Sequence, residues 1–216
     1  MKKLGNSDVT VVIPTLNEEE NMAEVMRELD LMGYNKILVV DADSTDRTVE
    51  IAKEYGAIVI PQKGRGKGSA LRQVFEHDGL DSDAIITIDA DGSMKPEEIP
   101  RFIEALDSGA DLVKGSRFLP SAYSEDMNLI RKIGNRFFLW LVNLLWSANY
   151  TDLCYGFAAF RRDALKKLCP DLKSTNFEIE TEILIKAKKL GLKVAEVFSI
   201  ELRRKRNVQN VEKRFQ

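Results

Sequence analysis

Asp89 and Asp91 stand two residues apart at the end of an apolar, β-branched run that begins at Ala84, and the turn residues Gly92 and Ser93 follow them. Alternate residues of an extended chain point the same way, so both carboxylates can converge on one point just beyond the strand's carboxyl end. Open α/β sheets bind their ligands at that end. Two carboxylates held together repel unless a cation lies between them, and an all-oxygen pair suits Mg2+ or Mn2+. Alone, such a pair also serves as a turn residue and a helix cap. Its company raises it above that. Pro14-Thr15-Leu16-Asn17-Glu18 follow the first predicted strand, Asp41-Ala42-Asp43-Ser44 the second, and the basic loop Lys63 to Ser69 the third. Within that loop Gly64, Gly66 and Gly68 can offer backbone N–H groups to phosphate oxygens and Lys67 a cation, although the spacing is not that of a P-loop. An acidic pair, a phosphate-friendly loop and polar strand ends point together to a diphosphate ligand.

The elements that must position these residues alternate. Strands are expected at Val9 to Ile13, Lys36 to Val40, Ala57 to Ile60, the run from Ala84, and Leu112 to Gly115. Between them lie a helix over Met22 to Leu31, with Asn17 and Glu20 resembling a capping box, one capped by Ser44 or Thr45, one over Lys67 to His77, and one from Pro96 or Pro100 to Leu106. Strands separated by helices imply parallel pairing with right-handed crossovers, a Rossmann-like α/β sheet. No linker or repeat divides the chain, so residues 1–216 are expected to form one domain, with a ligand and metal half to about residue 120 and a second half beyond it.

With 216 residues, 44% hydrophobic and 31% charged, the chain can bury a real core, and its net charge of −2 argues against general nucleic-acid binding. Cys154 and Cys169 lack metal-ligand spacing and fit a reducing compartment, and His77 reads as a solvated surface residue. No signal peptide and no membrane-spanning run is evident; Phe137 to Trp146, interrupted by Asn143, falls short of the roughly 18 residues needed.

IPTLNEEENM (Ile13 to Met22), VVDADSTDRT (Val39 to Thr48), GKGSALR (Gly66 to Arg72), IDADGSMKPEEIP (Ile88 to Pro100) and GSRF (Gly115 to Phe118) occur in this order. IGNRFF (Ile133 to Phe138), TDLCYGFAAFRRDAL (Thr151 to Leu165) and FEIETEI (Phe177 to Ile183) follow. Together they resemble the inverting family 2 glycosyltransferases of GT-A fold, in the branch that holds dolichyl-phosphate mannose synthase and related polyprenyl-phosphate hexosyltransferases. The resemblance implies that Pro14, Thr15, Asn17, Glu18 and Asp41 hold the nucleoside, with Asp41 facing the base, and it places Lys67 among the nucleotide-binding candidates. It implies that Asp89 and Asp91 bind the metal, with Ser93 where some relatives supply another metal ligand, and that Arg117, Arg131 and Asn135 face the acceptor phosphate. It departs at Ala42-Asp43 after Asp41 and in the tail, where Arg203 and Arg204 are the candidates for donor phosphate.

The second half agrees on independent grounds. Arg131 and Asn135, four apart, share a helical face that can receive a phosphate, with the guanidinium of Arg117 as a second fork; a solvated basic stripe has the same periodicity. Phe137 to Trp146 leaves almost no polar face and is either core or membrane-facing. The expected reaction is a single in-line displacement on a GDP-mannose- or UDP-glucose-type donor by a polyprenyl phosphate, at the cytoplasmic face of a membrane, reached peripherally or through a membrane-protein partner. A phosphate with a pKa near ~6 needs no general base. A sugar-hydroxyl acceptor, the main alternative, needs one, and Asp152, Glu178 or Glu180 would serve. A nucleotidyltransferase and a non-catalytic nucleotide-sugar-binding subunit are the remaining alternatives.

Overall fold

The apolar runs form strands β1 (Val9–Thr15), β2 (Ile37–Asp41), β3 (Ile58–Pro61), β4 (Ala84–Thr87), β5 (Leu112–Ser116), β6 (Tyr123–Ser124), β7 (Ala158–Arg161), β8 (Val194–Phe198) and β9 (Ile200–Glu201). Seven of them make one sheet in the order β3-β2-β1-β4-β7-β5-β8, and β6 and β9 pair in parallel beside it. This computed structural model describes residues 3–76, 81–127 and 129–204, with the side chains of residues 129–131 outside the description. The expected helical position of His77 and the basic tail beyond Arg204 fall outside the described residues.

β1 to β4 pair in parallel, as do β5 and β8, but β7 runs antiparallel between β4 and β5. Helices α1 (Glu19–Leu31), α2 (Thr48–Glu54), α3 (Lys67–Phe75), α4 (Ile99–Asp107), α5 (Leu129–Trp146), α6 (Arg162–Leu168) and α7 (Ile179–Lys189) cover both faces. Strand residues alternate between two cores: Val9, Val11 and Ile13 pack with Met22, Met26 and Phe102, while Val12, Leu38 and Val40 pack with Leu71, Val74 and Leu184. α4 shows how the pattern holds a helix in place. It buries Ile99, Phe102, Ile103 and Leu106, spaced i, i+3, i+4 and i+7, and each such side chain contributes about 1.5–3 kcal/mol.

Two expected caps are replaced. Asn17 does not cap α1; its Oδ1 accepts Thr45 N at 2.7 Å and its own N–H donates to Ser44 Oγ at 2.9 Å, joining the loops after β1 and β2. α2 begins at Thr48 rather than behind Ser44 or Thr45, with Asp46 Oδ1 accepting Thr48 N at 3.0 Å. A nearby loop outcompetes the local motif in both places.

α5 is amphipathic in an unusual sense. Asn135, Leu139, Val142 and Trp146 turn inward, while Ile133, Phe137, Phe138, Trp140, Leu144 and Leu145 are exposed, Trp140 by 60%. Part of the Phe137 to Trp146 segment is therefore core and part is an open apolar face. No helix among the described residues is long and apolar enough to cross a membrane.

Candidate active site

β4 ends at Thr87, whose hydroxyl donates to Gly156 O at 2.8 Å and so binds the strand end to the segment leading into β7. Asp89 lies just beyond, ion-paired with Lys67, and Lys67 Nζ also donates to Glu180 Oε1 at 2.9 Å. Burial works against the Lys67 ammonium, but Asp89 and Glu180 together hold its pKa above the ordinary lysine value. Gly156 lets Lys67 and Asp89 approach the backbone closely here. A Cβ at this position would collide with Lys67 Nζ and come within 3.0 Å of both Asp89 carboxylate oxygens.

Asp91 is held differently. Ser93 donates to its Oδ1 through N at 3.1 Å and Oγ at 2.6 Å, and Arg204 Nε lies 3.2 Å from its Oδ2 and 3.2 Å from Asp126 Oδ2. Burial and then the Asp89 charge push the Asp91 carboxyl above its ordinary range, against the pull of Ser93 and Arg204. Two mutually repelling, largely buried carboxylates fit a hard divalent cation. Among the described residues no group of three His, Cys, Asp or Glu side chains could hold one, so its other positions would fall to substrate phosphate and water. Ser93, expected as a further ligand, spends its hydroxyl on orienting Asp91.

The basic loop differs from its expected use. Gly66 and Gly68 permit close packing rather than an open cradle: a Cβ would lie 2.5 Å from Thr175 O at Gly66 and 2.5 Å from Ser174 O at Gly68. Ser69 N, moreover, donates to Gly66 O and Thr175 O. Lys67 is what this loop delivers to the site.

At the ends of β1 and β2, Thr15 Oγ1 and Asp41 Oδ1 are buried without a hydrogen-bond partner, while Asp41 Oδ2 accepts Ser44 N at 3.0 Å. Orphaned polar atoms at a strand end are what an absent ligand would satisfy. Glu18 accepts from Asn21 Nδ2 at 2.9 Å, and Pro14 is half-buried beside Thr15.

The acceptor-side candidates divide. Arg117 is committed: Nε and Nη2 donate to Asp152 at 2.7 and 3.0 Å, Nη1 to Glu201 at 3.1 Å, and Nη2 also to Cys154 O at 3.0 Å. Its ring-face contact is Tyr155, 4.9 Å away. Asp152 is fully buried on Arg117 and the N–H groups of Arg117 and Cys154, so both its oxygens are already engaged. Glu178 is exposed and accepts Thr175 N and Asn176 N in its own loop. Asn135 is 8% exposed, and neither amide atom has a partner. Arg131 lies in α5, with its side chain outside the described residues. Arg203 is exposed, its backbone N–H donating to Glu125. Lys114 and Glu201 went unremarked in the sequence. A lysine inside the buried run Leu112 to Ser116 is the signal that could have found the first; nothing local marks the second.

The glycosyl transferase family 2 pattern matches residues 10–169. The chain belongs to glycosyltransferase family 2. This glycosyltransferase is 36% identical over 200 residues to an uncharacterised protein of Methanocaldococcus jannaschii, covering 91% of this chain and 82% of that one. It is 33% identical over 192 residues to the dolichyl-phosphate hexose transferase of Haloferax volcanii, covering 88% and 81%. Two further Haloferax volcanii glycosyltransferases are longer, and the chain spans 61% and 46% of them. Glucosyl-3-phosphoglycerate synthase from Mycobacterium tuberculosis, in complex with Mn2+, UDP-glucose and phosphoglyceric acid, superposes with a TM-score of 0.76 at 23% identity, over 94% of this chain and 74% of that one. The fold is thereby the GT-A fold, as the motifs implied.

Proposed function

We propose that this glycosyltransferase moves a hexose from a nucleotide-diphosphate sugar to a polyprenyl phosphate, with inversion, at the cytoplasmic surface of a membrane. The observation that carries the lipid acceptor is the open apolar face of α5, Phe137, Phe138, Trp140, Leu144 and Leu145, on the helix that also holds Arg131 and Asn135. The Haloferax relative, whose name gives a dolichyl-phosphate acceptor, supports the same reading.

Asp89 and Asp91 would hold the divalent metal, which when bound supplies charge neutralisation to the leaving diphosphate. The chain does the rest by positioning. Thr15 and Asp41 offer their unpaired oxygens to the nucleoside. Lys67 and Arg204, each a counter-ion of one aspartate, would be the cations available to the diphosphate if the aspartates held a metal. Asn135 and Arg131 are the groups offered to the acceptor phosphate, while Arg117 is held by Asp152 and Glu201.

A sugar-hydroxyl acceptor would need a base. Asp152 is bound by Arg117, Glu180 by Lys67, and Glu178 faces solvent, which favours an acceptor that arrives already ionised. The test is turnover of UDP- and GDP-hexoses with Mn2+ or Mg2+, with and without farnesyl phosphate. Transfer to the phosphate lipid supports the proposal; transfer to glycan hydroxyls alone removes it.

A further inference from the structure

Lys114 is the one lysine or arginine buried as a whole residue among the described residues, at 3% exposure, and its ammonium has no hydrogen bond or ion pair there. Its side chain lies on the sheet face that carries Leu112 and Ser116, under the layer formed by α5 and α7. The charges that act on it are Glu180 and Asp152 in attraction and Lys67 and Arg117 in repulsion. Both carboxylates are already spent: Glu180 on Lys67, Asp152 on Arg117. Burial holds the Lys114 pKa below the ordinary lysine value. A cation at the tip of a buried stem, with no protein group taking up its donors, is open to an anion brought from outside.

A second orphan faces the same layer. Asn135, on the inward stripe of α5, has both amide atoms buried and unpartnered. Further along α5, Asn143 exchanges hydrogen bonds with the Tyr150 backbone, the Tyr150 hydroxyl donates to Leu184 O at 3.0 Å, and Trp146 lies 5.9 Å from Lys189 Nζ. α5 and α7 thus pack together over the sheet face that carries Lys114, and Glu180, at the start of α7, is one of the charges that act on it.

We propose that Lys114 and Asn135 form the buried floor of the acceptor site and that Lys114 supplies the cation to the acceptor phosphate that Arg117, with its donors taken, cannot. This rests on the polyprenyl-phosphate reading above. Lys114 is then a substrate-binding residue that the ligand-free protein holds in reserve. Removing its charge should weaken acceptor binding without weakening the fold.

The experiment is titration calorimetry of farnesyl phosphate, in the presence of UDP and Mn2+, on wild type and Lys114→Met, with UDP affinity and the thermal midpoint measured on both. Methionine keeps an unbranched stem of similar length and removes the ammonium. The expected result is a loss of farnesyl phosphate affinity of about 10- to 100-fold, the range of a lost charge-assisted hydrogen bond. UDP affinity is expected to stay unchanged and the midpoint to be equal or higher. If the variant binds farnesyl phosphate as wild type does, or if its midpoint falls or it fails to fold, Lys114 serves to neutralise Glu180 and Asp152 and the inference is overturned, while the acceptor reading stands. If wild type binds no farnesyl phosphate, the acceptor reading fails and takes this inference with it.

Discussion

Asp152→Asn separates the two roles that Asp152 could play. In the folded protein Asp152 and Arg117 are both buried and joined through two parallel contacts, 2.7 and 3.0 Å, with Arg117 also meeting Glu201. Asparagine keeps the shape but turns an N–H2 group toward the guanidinium, so one of the two contacts becomes donor against donor. Breaking a buried pair from one side costs about 3–5 kcal/mol, and because Glu201 retains its hold, about 2–4 kcal/mol is expected here. A chain of this size loses about 2–4 °C per kcal/mol, so the thermal midpoint should fall by about 4–16 °C. The assay is thermal unfolding of wild type and variant, with kcat and acceptor KM measured well below both midpoints. The variant should keep most of its kcat there, because both Asp152 oxygens are taken up by Arg117 and the N–H groups of Arg117 and Cys154. An unchanged midpoint with kcat reduced more than about 100-fold would make Asp152 a base and refute the clamp.

Asp91→Asn should lose Mn2+-dependent UDP binding while the midpoint holds or rises, since burial and Asp89 already disfavour the Asp91 charge; calorimetry with and without Mn2+ reads this, and intact binding would remove Asp91 from the metal site. Gly156→Ala should displace Lys67 from Asp89 and cut turnover more than stability, and a fully active variant would show that the close approach is dispensable. Glu196, chiefly through burial, has a raised pKa in the folded state. Its stability contribution is therefore fully present below its unfolded pKa of about 4.3 and is lost as pH rises through the folded value. Glu196→Gln should accordingly gain on wild type at neutral pH and lose that advantage on acidification, as midpoints across the pH range would show; a pH-independent difference would contradict the sign. Phe137→Glu with Trp140→Glu should abolish flotation with anionic vesicles and leave the midpoint intact, whereas unfolding would mean that this face is core.

The alternation of strands and helices was legible because apolar runs between turn residues suffice to specify a parallel α/β layer, and the Asp89 and Asp91 pair because it sits where that layer ends. The reversal of β7 was not legible. No strand was expected at Ala158–Arg161, where the four residues AAFR carry no period of their own, and only pairing across the sheet gives the strand its place and direction. Arg117 was visible as a cation but not as a saturated one, because Asp152, Cys154 and Glu201 approach it from distant parts of the chain. The glycines around Lys67 looked like a phosphate loop because glycine signals close approach without naming what approaches; here it is residues 174–176. The apolar segment of α5 was ambiguous for the opposite reason: its composition hides which side faces inward, and the exposed Phe137 and Trp140 against the inward Val142 and Trp146 resolve it.

The antiparallel placement of β7 has a consequence for exchange of parts. The chain leaves the sheet at the end of β5 and re-enters it on the adjacent strand, with Gly115 N donating to Phe157 O at 2.9 Å, so everything between starts and finishes at one doorway. Residues 118–155 form an excursion between fixed ends: a replacement of different length or greasiness could be grafted there if it refilled the core positions of Val142, Leu153 and Tyr155 and left Gly156, whose carbonyl binds Thr87, in place. The graft would carry one further obligation. It must bring its own carboxylate in the place of Asp152, because an arginine beside Glu201 at the doorway would otherwise be left holding half a clasp.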